Sequence, residues 1–145
     1  ISATDGDIAT LEAHLDSLQQ KYAKMPRVKR LTSVSTKSSL DAAYVLQWQR
    51  QIENTGNRFY PQRAKQLGIE GDVRLMVALL PDGSVKEVRL LQSSGSALLD
   101  QAAQGIVQLS APFAPFPIEI AENTDILEII RTWQFRRDRL SSRVN

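Results

Sequence analysis

The stretch Gly71 to Ser93 constrains the fold most, because one unbroken run encodes two strands and the reversal between them. Val73, Leu75, Val77 and Leu79 alternate with Asp72, Arg74, Met76 and Ala78, the period of two expected of a strand packed on one face. Pro81-Asp82-Gly83-Ser84 follows; proline presets φ at the first corner and glycine takes the positive φ of a tight reversal. Val85 to Gln92 reads as the second strand of a β-hairpin. A lone hairpin is unstable in water, so the rest of the chain must cover its apolar face or extend its sheet.

The residues that follow do both. Ser93-Ser94-Gly95-Ser96 caps a helix whose apolar face is Leu98, Leu99, Ala102, Ala103, Ile106 and Val107. Ala111 to Pro117 is a rigid Pro/Phe connector, unfit for a ladder because proline lacks an N–H. Asn123-Thr124-Asp125 then turns the chain into a last strand, Ile126 to Arg136. Leu127, Ile129, Trp133 and Phe135 face one side of it; Ile126, Glu128, Ile130, Thr132 and Gln134 face the other. A strand–helix–strand connection makes the last strand parallel to the second, beside the first, in the order second–first–last. In that order, as in a simple meander, Ile126 to Arg136 is an edge expected to present unpaired N–H and C=O groups. Residues 138–145 read as a polar, flexible tail.

Upstream, Thr4 and Asp5 look like a helix N-cap, and Ile8, Leu11, Leu15, Leu18, Tyr22 and Met25 recur at steps of three and four until Pro26. This heptad seam either packs on its own domain or self-associates as a short coiled coil; under three heptads is marginal for the latter in isolation. Arg27 to Ser39 is basic and Ser/Thr-rich, without periodicity, and reads as a linker, so residues 1–39 form an N-terminal appendage. Ser39 caps a second helix to about Asn54, with Ala42, Val45, Trp48, Gln49 and Ile52 as its stripe and Gly56-Asn57 as its C-cap. Arg58-Phe59-Tyr60-Pro61 is an extended step, and Gln62 to Gly68 a short helical turn.

The chemistry of an enzyme is missing from these elements. There is no cysteine, which removes disulfides and thiolate ligands, and the single histidine, His14, has no ligand cluster around it. No cofactor is implied. Ser93-Ser94-Gly95 has no histidine base; Gly68-Ile69-Glu70-Gly71 precedes a strand, unlike the GxxG of an RNA-binding loop. A net charge of +2 without clustered Lys/Arg argues against nucleic acid. No run approaches the roughly 20 apolar residues of a membrane span. The chain begins at Ile1 without methionine, as expected of a trimmed or processed product.

Taken in order, Tyr60-Pro61 with Ala64, Gly68 and Gly71, the Val73–Val77 strand, Pro81-Asp82-Gly83, Val88 to Ser94-Gly95, Leu99-Asp100 with Ala102-Ala103, and the closing Trp133-Gln134-Phe135 resemble the C-terminal domain of TonB proteins. These are the periplasmic energy transducers of Gram-negative bacteria, and the likeness covers Asp41 to Arg137, within a domain of residues 40–137. The resemblance implies an α+β fold of two helices on a three-stranded antiparallel sheet, here preceded by extra N-terminal helices. It implies a periplasmic location, with an inner-membrane anchor that is absent from this chain, and a proton-driven inner-membrane motor as one partner. It implies, as the other partner, an extended peptide of an outer-membrane transporter, as in siderophore transport. In the family that peptide adds a strand beside the last strand and contacts the segment before Tyr-Pro. Carried over, the partner-binding residues are Asn57, Arg58, Phe59, Tyr60 and Pro61 with Ile126, Glu128, Ile130, Thr132 and Gln134. Well-known members carry Gln-Pro-x-Tyr-Pro there, whereas this chain has Asn57-Arg58-Phe59-Tyr60-Pro61. That departure leaves open a second reading, a TonB-like or TolA-like tether that binds cell-wall or envelope-assembly proteins. A third is a homodimer formed through Ile8 to Met25.

Overall fold

In chain order the elements are helix α1 (Asp5–Ala23), strand β1 (Val28–Leu31), helices α2 (Ser39–Arg58) and α3 (Gln62–Leu67), strands β2 (Gly71–Leu79) and β3 (Val85–Gln92), helices α4 (Ala97–Ser110) and α5 (Ile118–Ala121), and strands β4 (Ile126–Arg136) and β5 (Arg139–Arg143). They belong to a computed structural model that describes residues 4–32 and 38–143.

The hairpin β2–β3 forms where its turn chemistry places it. Gly83 takes φ +88°, its N–H donates to the Leu80 carbonyl at 2.8 Å, and the Phe113 carbonyl packs where a Cβ would stand. β4 runs antiparallel to β2 from Leu127 opposite Leu79 to Phe135 opposite Gly71. The three long strands thus lie in the order β3–β2–β4, with β4 beside the first hairpin strand as expected.

The core lies between this sheet and α2 with α4. Val73, Leu75, Val77 and Leu79 of β2 and Leu127, Ile129, Trp133 and Phe135 of β4 all point to the helices and are buried. Trp48 of α2 packs on Trp133 with ring centroids 5.6 Å apart and on Phe113 at 6.0 Å; Tyr60 meets the edge of Phe135 at 5.8 Å. Pairs of this kind add about 0.5–1.5 kcal/mol each beyond the area they bury. The helices are capped as their sequences dictate: the Ser96 side chain accepts from the Leu99 N–H, and Ser38, one residue earlier than expected, accepts from Asp41 at 3.0 Å.

Three expectations are corrected and one open choice is narrowed. α2 does not end at Asn54 but runs through Gly56 and Asn57 to Arg58. Gly56 is buried there because Leu140 occupies the space a Cβ would need, so its role is close approach rather than C-capping. The presumed linker contains β1, which pairs parallel to β4 from Val28 opposite Ile126 to Leu31 opposite Ile129, with Leu31 sealed in the core; its residues 33–37 lie outside the described part. The presumed tail contains β5, and Arg137 and Asp138 adopt φ of 53° and 62°, the left-handed pair that a two-residue hairpin turn requires. Last, of the two readings left open for α1, packing on its own domain is not seen: the helix, closed by a Thr4/Asp7 capping box, buries none of its residues.

Candidate functional site: the outer edge of the sheet

The sheet has five strands rather than three, and the outer edge of β4 is not bare. β1 lies along its first half in parallel and β5 along its second half in antiparallel, from Thr132 opposite Arg143 to Arg136 opposite Arg139. The expectation of an unpaired row over Ile126–Arg136 is therefore overturned. An exposed row of eleven residues would invite aggregation, and the chain covers it with two short segments of its own.

β1 is tied down by charge. The Arg27 N–H donates to Asp125 Oδ2 at 2.7 Å, and its guanidinium holds both oxygens of that carboxylate at 3.0 and 3.1 Å. These hydrogen bonds from Arg27 hold the exposed Asp125 carboxyl down to about 2. Lys29 Nζ reaches the buried Asp41 at 2.8 Å, and Arg30 meets Glu128 at 2.8 Å.

β5 is tied down by shape. Leu140 is 2% exposed and plugs the notch over Gly56. Asn57 brackets it: Nδ2 donates to the Leu140 carbonyl at 3.2 Å, and Oδ1 accepts the Leu140 N–H at 2.8 Å. One side chain thus satisfies both backbone groups of a strand residue. Glu53 of the same helix accepts the Ser142 N–H at 3.3 Å.

The residues expected to bind a partner fall into three groups. Asn57, Thr132 and Gln134 come together around β5, with Thr132 buried and accepting from Arg74 at 3.0 Å. Ile126 and Glu128 are paired with β1, and Ile130 stands where β1 pairing has ended and β5 pairing has not begun. At the end of α2, Arg58 and the exposed Phe59 line an open hollow of about 350 Å³ with Asn54 and Thr55. Tyr60 is instead a core residue and Pro61 is half-buried.

Sequence reasoning missed Leu140, Gly56 and Arg131 as parts of this edge. Arg131 falls in the helix-facing row of β4 between Ile129 and Trp133; it is 9% exposed, and its Nε and Nη1 find no hydrogen-bond partner among the described residues. Burial lowers its pKa, and Arg74 lowers it further. The signal was available, since strict alternation assigns position 131 to the inward row.

Among the described residues, no helix is long and apolar enough to cross a membrane, and no three His, Cys, Asp or Glu side chains gather where a metal could be held.

Comparison with known proteins agrees with this architecture. The family model described as the Gram-negative bacterial TonB protein C-terminal matches residues 56–136, more than half of the chain. Protein TonB of Haemophilus ducreyi is 33% identical over 84 residues, which cover 58% of this chain and 30% of that protein. The chain therefore corresponds to under a third of the length of that relative. The solution structure of the TonB C-terminal domain of Helicobacter pylori superposes with a TM-score of 0.55 at 23% identity, over 73% of this chain and 94% of that one, a likeness of fold. The chain belongs to the TonB C-terminal family.

Proposed function

We propose that this is the periplasmic domain of an energy transducer, which links a proton-driven motor in the inner membrane to outer-membrane transporters by taking up an extended transporter peptide beside β4. Family membership supports the class of function. The observation that carries the binding mode is Asn57, whose amide brackets both backbone groups of Leu140 in a strand lying on β4.

On this reading the peptide takes the place of β5. It pairs with Thr132 to Arg136, presents an apolar residue to the Gly56 notch in place of Leu140, and is bracketed there by Asn57. Arg58 and Phe59 extend the contact toward the hollow at the end of α2. Ile130 gains a neighbour if the peptide is longer than β5, and Ile126 and Glu128 join only if β1 also leaves. Ladder bonds at a net ~0.5–1.5 kcal/mol each are exchanged, not added. The resident strand also competes at the millimolar effective concentration of a short tether. Binding is accordingly weak and rests on the anchor residue and on length beyond that of β5.

The test is a titration of the full chain with a synthetic peptide of a transporter's N-terminal extended segment, followed by amide chemical shifts. Shifts at Asn57, Thr132, Gln134 and Leu140 are expected, with at least tenfold tighter binding in Leu140→Ala, whose resident strand is a poorer competitor. Absence of shifts with any transporter peptide, in both chains, would instead favour the envelope tether.

A further inference from the structure

α1 is a helix of 19 residues, about 28 Å long at 1.5 Å per residue, and it stands apart from the core. Ile8, Leu11, Leu15, Tyr22 and Met25 are each between 45% and 67% exposed. With Leu18 they form a single seam at a and d spacing, an apolar stripe with no partner among the described residues. Exposed apolar stripes of this continuity mark interaction surfaces.

The charges on α1 say what covers it. Asp5, Asp7, Glu12 and Asp16 occupy its first part and Lys21 and Lys24 its end; no Lys or Arg precedes Lys21 and no Asp or Glu follows Asp16 before Arg27. A helix that is acidic at one end and basic at the other complements a copy of itself laid head to tail, an arrangement that also opposes the two macrodipoles. The seam is symmetric in the same sense. Placing Leu15 of one copy on Leu18 of the other sets Leu11 on Tyr22 within the two helices and brings Ile8 to the C-terminal end of the other helix, where Met25 follows the Lys24 cap. In a parallel pair, Asp7 at a g position would instead face Glu12 at e of the other helix, a like-charge contact made twice. The parallel pair would also bring both sheets to the same end, whereas the antiparallel pair separates them by the length of the helix.

We propose that α1 is a self-association element, pairing antiparallel with α1 of a second copy. With fewer than three heptads the dimer is weak and concentration-dependent, in the high-micromolar range. It stands apart from the peptide-binding reading, since α1 takes no part in the β4 edge.

Sedimentation of the full chain from 10 µM to 1 mM is expected to show a monomer–dimer equilibrium, on the scale that such short coils give. Leu15→Asp should remain monomeric at every concentration with an unchanged thermal melt, because α1 buries nothing in the domain. Orientation is read by disulfide trapping, for which the chain offers a background free of cysteine. An oxidised equimolar mixture of Ile8→Cys and Met25→Cys should cross-link across the two variants, while Met25→Cys alone should not. A monomer throughout the range overturns the proposal. Cross-linking of Met25→Cys alone at concentrations where the dimer is populated overturns the antiparallel arrangement.

Discussion

β1 and β5 cover the same edge of β4 and are held there by different physics. β1 contributes one buried side chain, Leu31, and three ion pairs, Arg27–Asp125, Lys29–Asp41 and Arg30–Glu128, most of whose groups face water. β5 contributes one buried side chain, Leu140, seated on a glycine and bracketed by an asparagine that carries no charge. Exposed ion pairs are worth about 0–1 kcal/mol each and are screened by salt. A buried leucine is worth several times that and is indifferent to ions. One edge thus carries two covers of different kinds: acid or ionic strength should loosen β1 first. β5 also has the Arg143–Asp72 ion pair at 3.2 Å and the Glu53 carboxylate on the Ser142 N–H, yet should answer at Leu140 mainly to a change of shape.

The largest expected effect is on the shape side. Leu140→Ala removes the plug and leaves a void over Gly56, at a cost of about 2–4 kcal/mol for a core leucine. Because β5 is terminal to the described fold, the loss should appear as local detachment and not as global unfolding. Hydrogen-exchange protection should fall at Leu140 to Ser142 and stay unchanged at Val28 to Leu31. Equal loss in both segments would mean that they leave as one unit, and the comparison would collapse.

Asn57→Ala is the sharper and smaller probe. It removes two hydrogen bonds to the Leu140 backbone, worth about 1–2 kcal/mol together, while the leucine keeps its seat. Protection at Leu140 should fall by roughly five- to thirtyfold with little change in the denaturation midpoint of the domain. A large shift of that midpoint would show that Asn57 supports α2 itself and does not read the strand.

How much of this was legible in the sequence depends on how local each signal is. The hairpin and β4 were legible because alternation and turn residues lie within the elements themselves, and the order β3–β2–β4 followed from connection type alone. β1 was not, because four residues in a basic, Ser/Thr-rich run carry no period, and the bonds that fix them come from Asp125 and Glu128, 98 positions away. β5 was hidden by its turn: Arg137-Asp138 adopts the left-handed pair usually signalled by Asn-Gly, and Leu140 is a lone apolar residue in a polar tail. Gly56 lay near a plausible helix end, so its sequence position suggested a cap, and only the neighbouring Leu140 reveals the true constraint. For the candidate site, the resemblance pointed to Asn57 and to β4, and the structure brings both together around β5. The resemblance failed on what occupies them, since self-complementation of an edge is a long-range event without a local signature.

The smallest effect is on the charge side, and its sign can be worked out. Asp125 has its carboxyl held down to about 2, by the Arg27 side chain first and the Arg27 backbone N–H second, against about 3.9 in an unfolded chain. A carboxylate depressed in the folded state binds fewer protons than its unfolded counterpart, so its contribution is complete above pH ~5 and is lost as pH falls toward 2. Protonation also takes the charge from the acceptor of the Arg27 N–H and so weakens the first bond that leads the chain into β1. Protection factors at Val28 to Leu31 should therefore decline between pH 5 and pH 2, while that of Leu140 holds, since neither its apolar seat nor Asn57 titrates. At pH 7, raising NaCl to 1 M shortens the screening length to about 3 Å and should move β1 in the same direction by a smaller amount. Asp125→Asn should flatten the acid response of β1 and leave β5 as it was; a β1 segment that loosens in acid just as before would place its hold on Leu31 and the ladder, making the two covers alike after all.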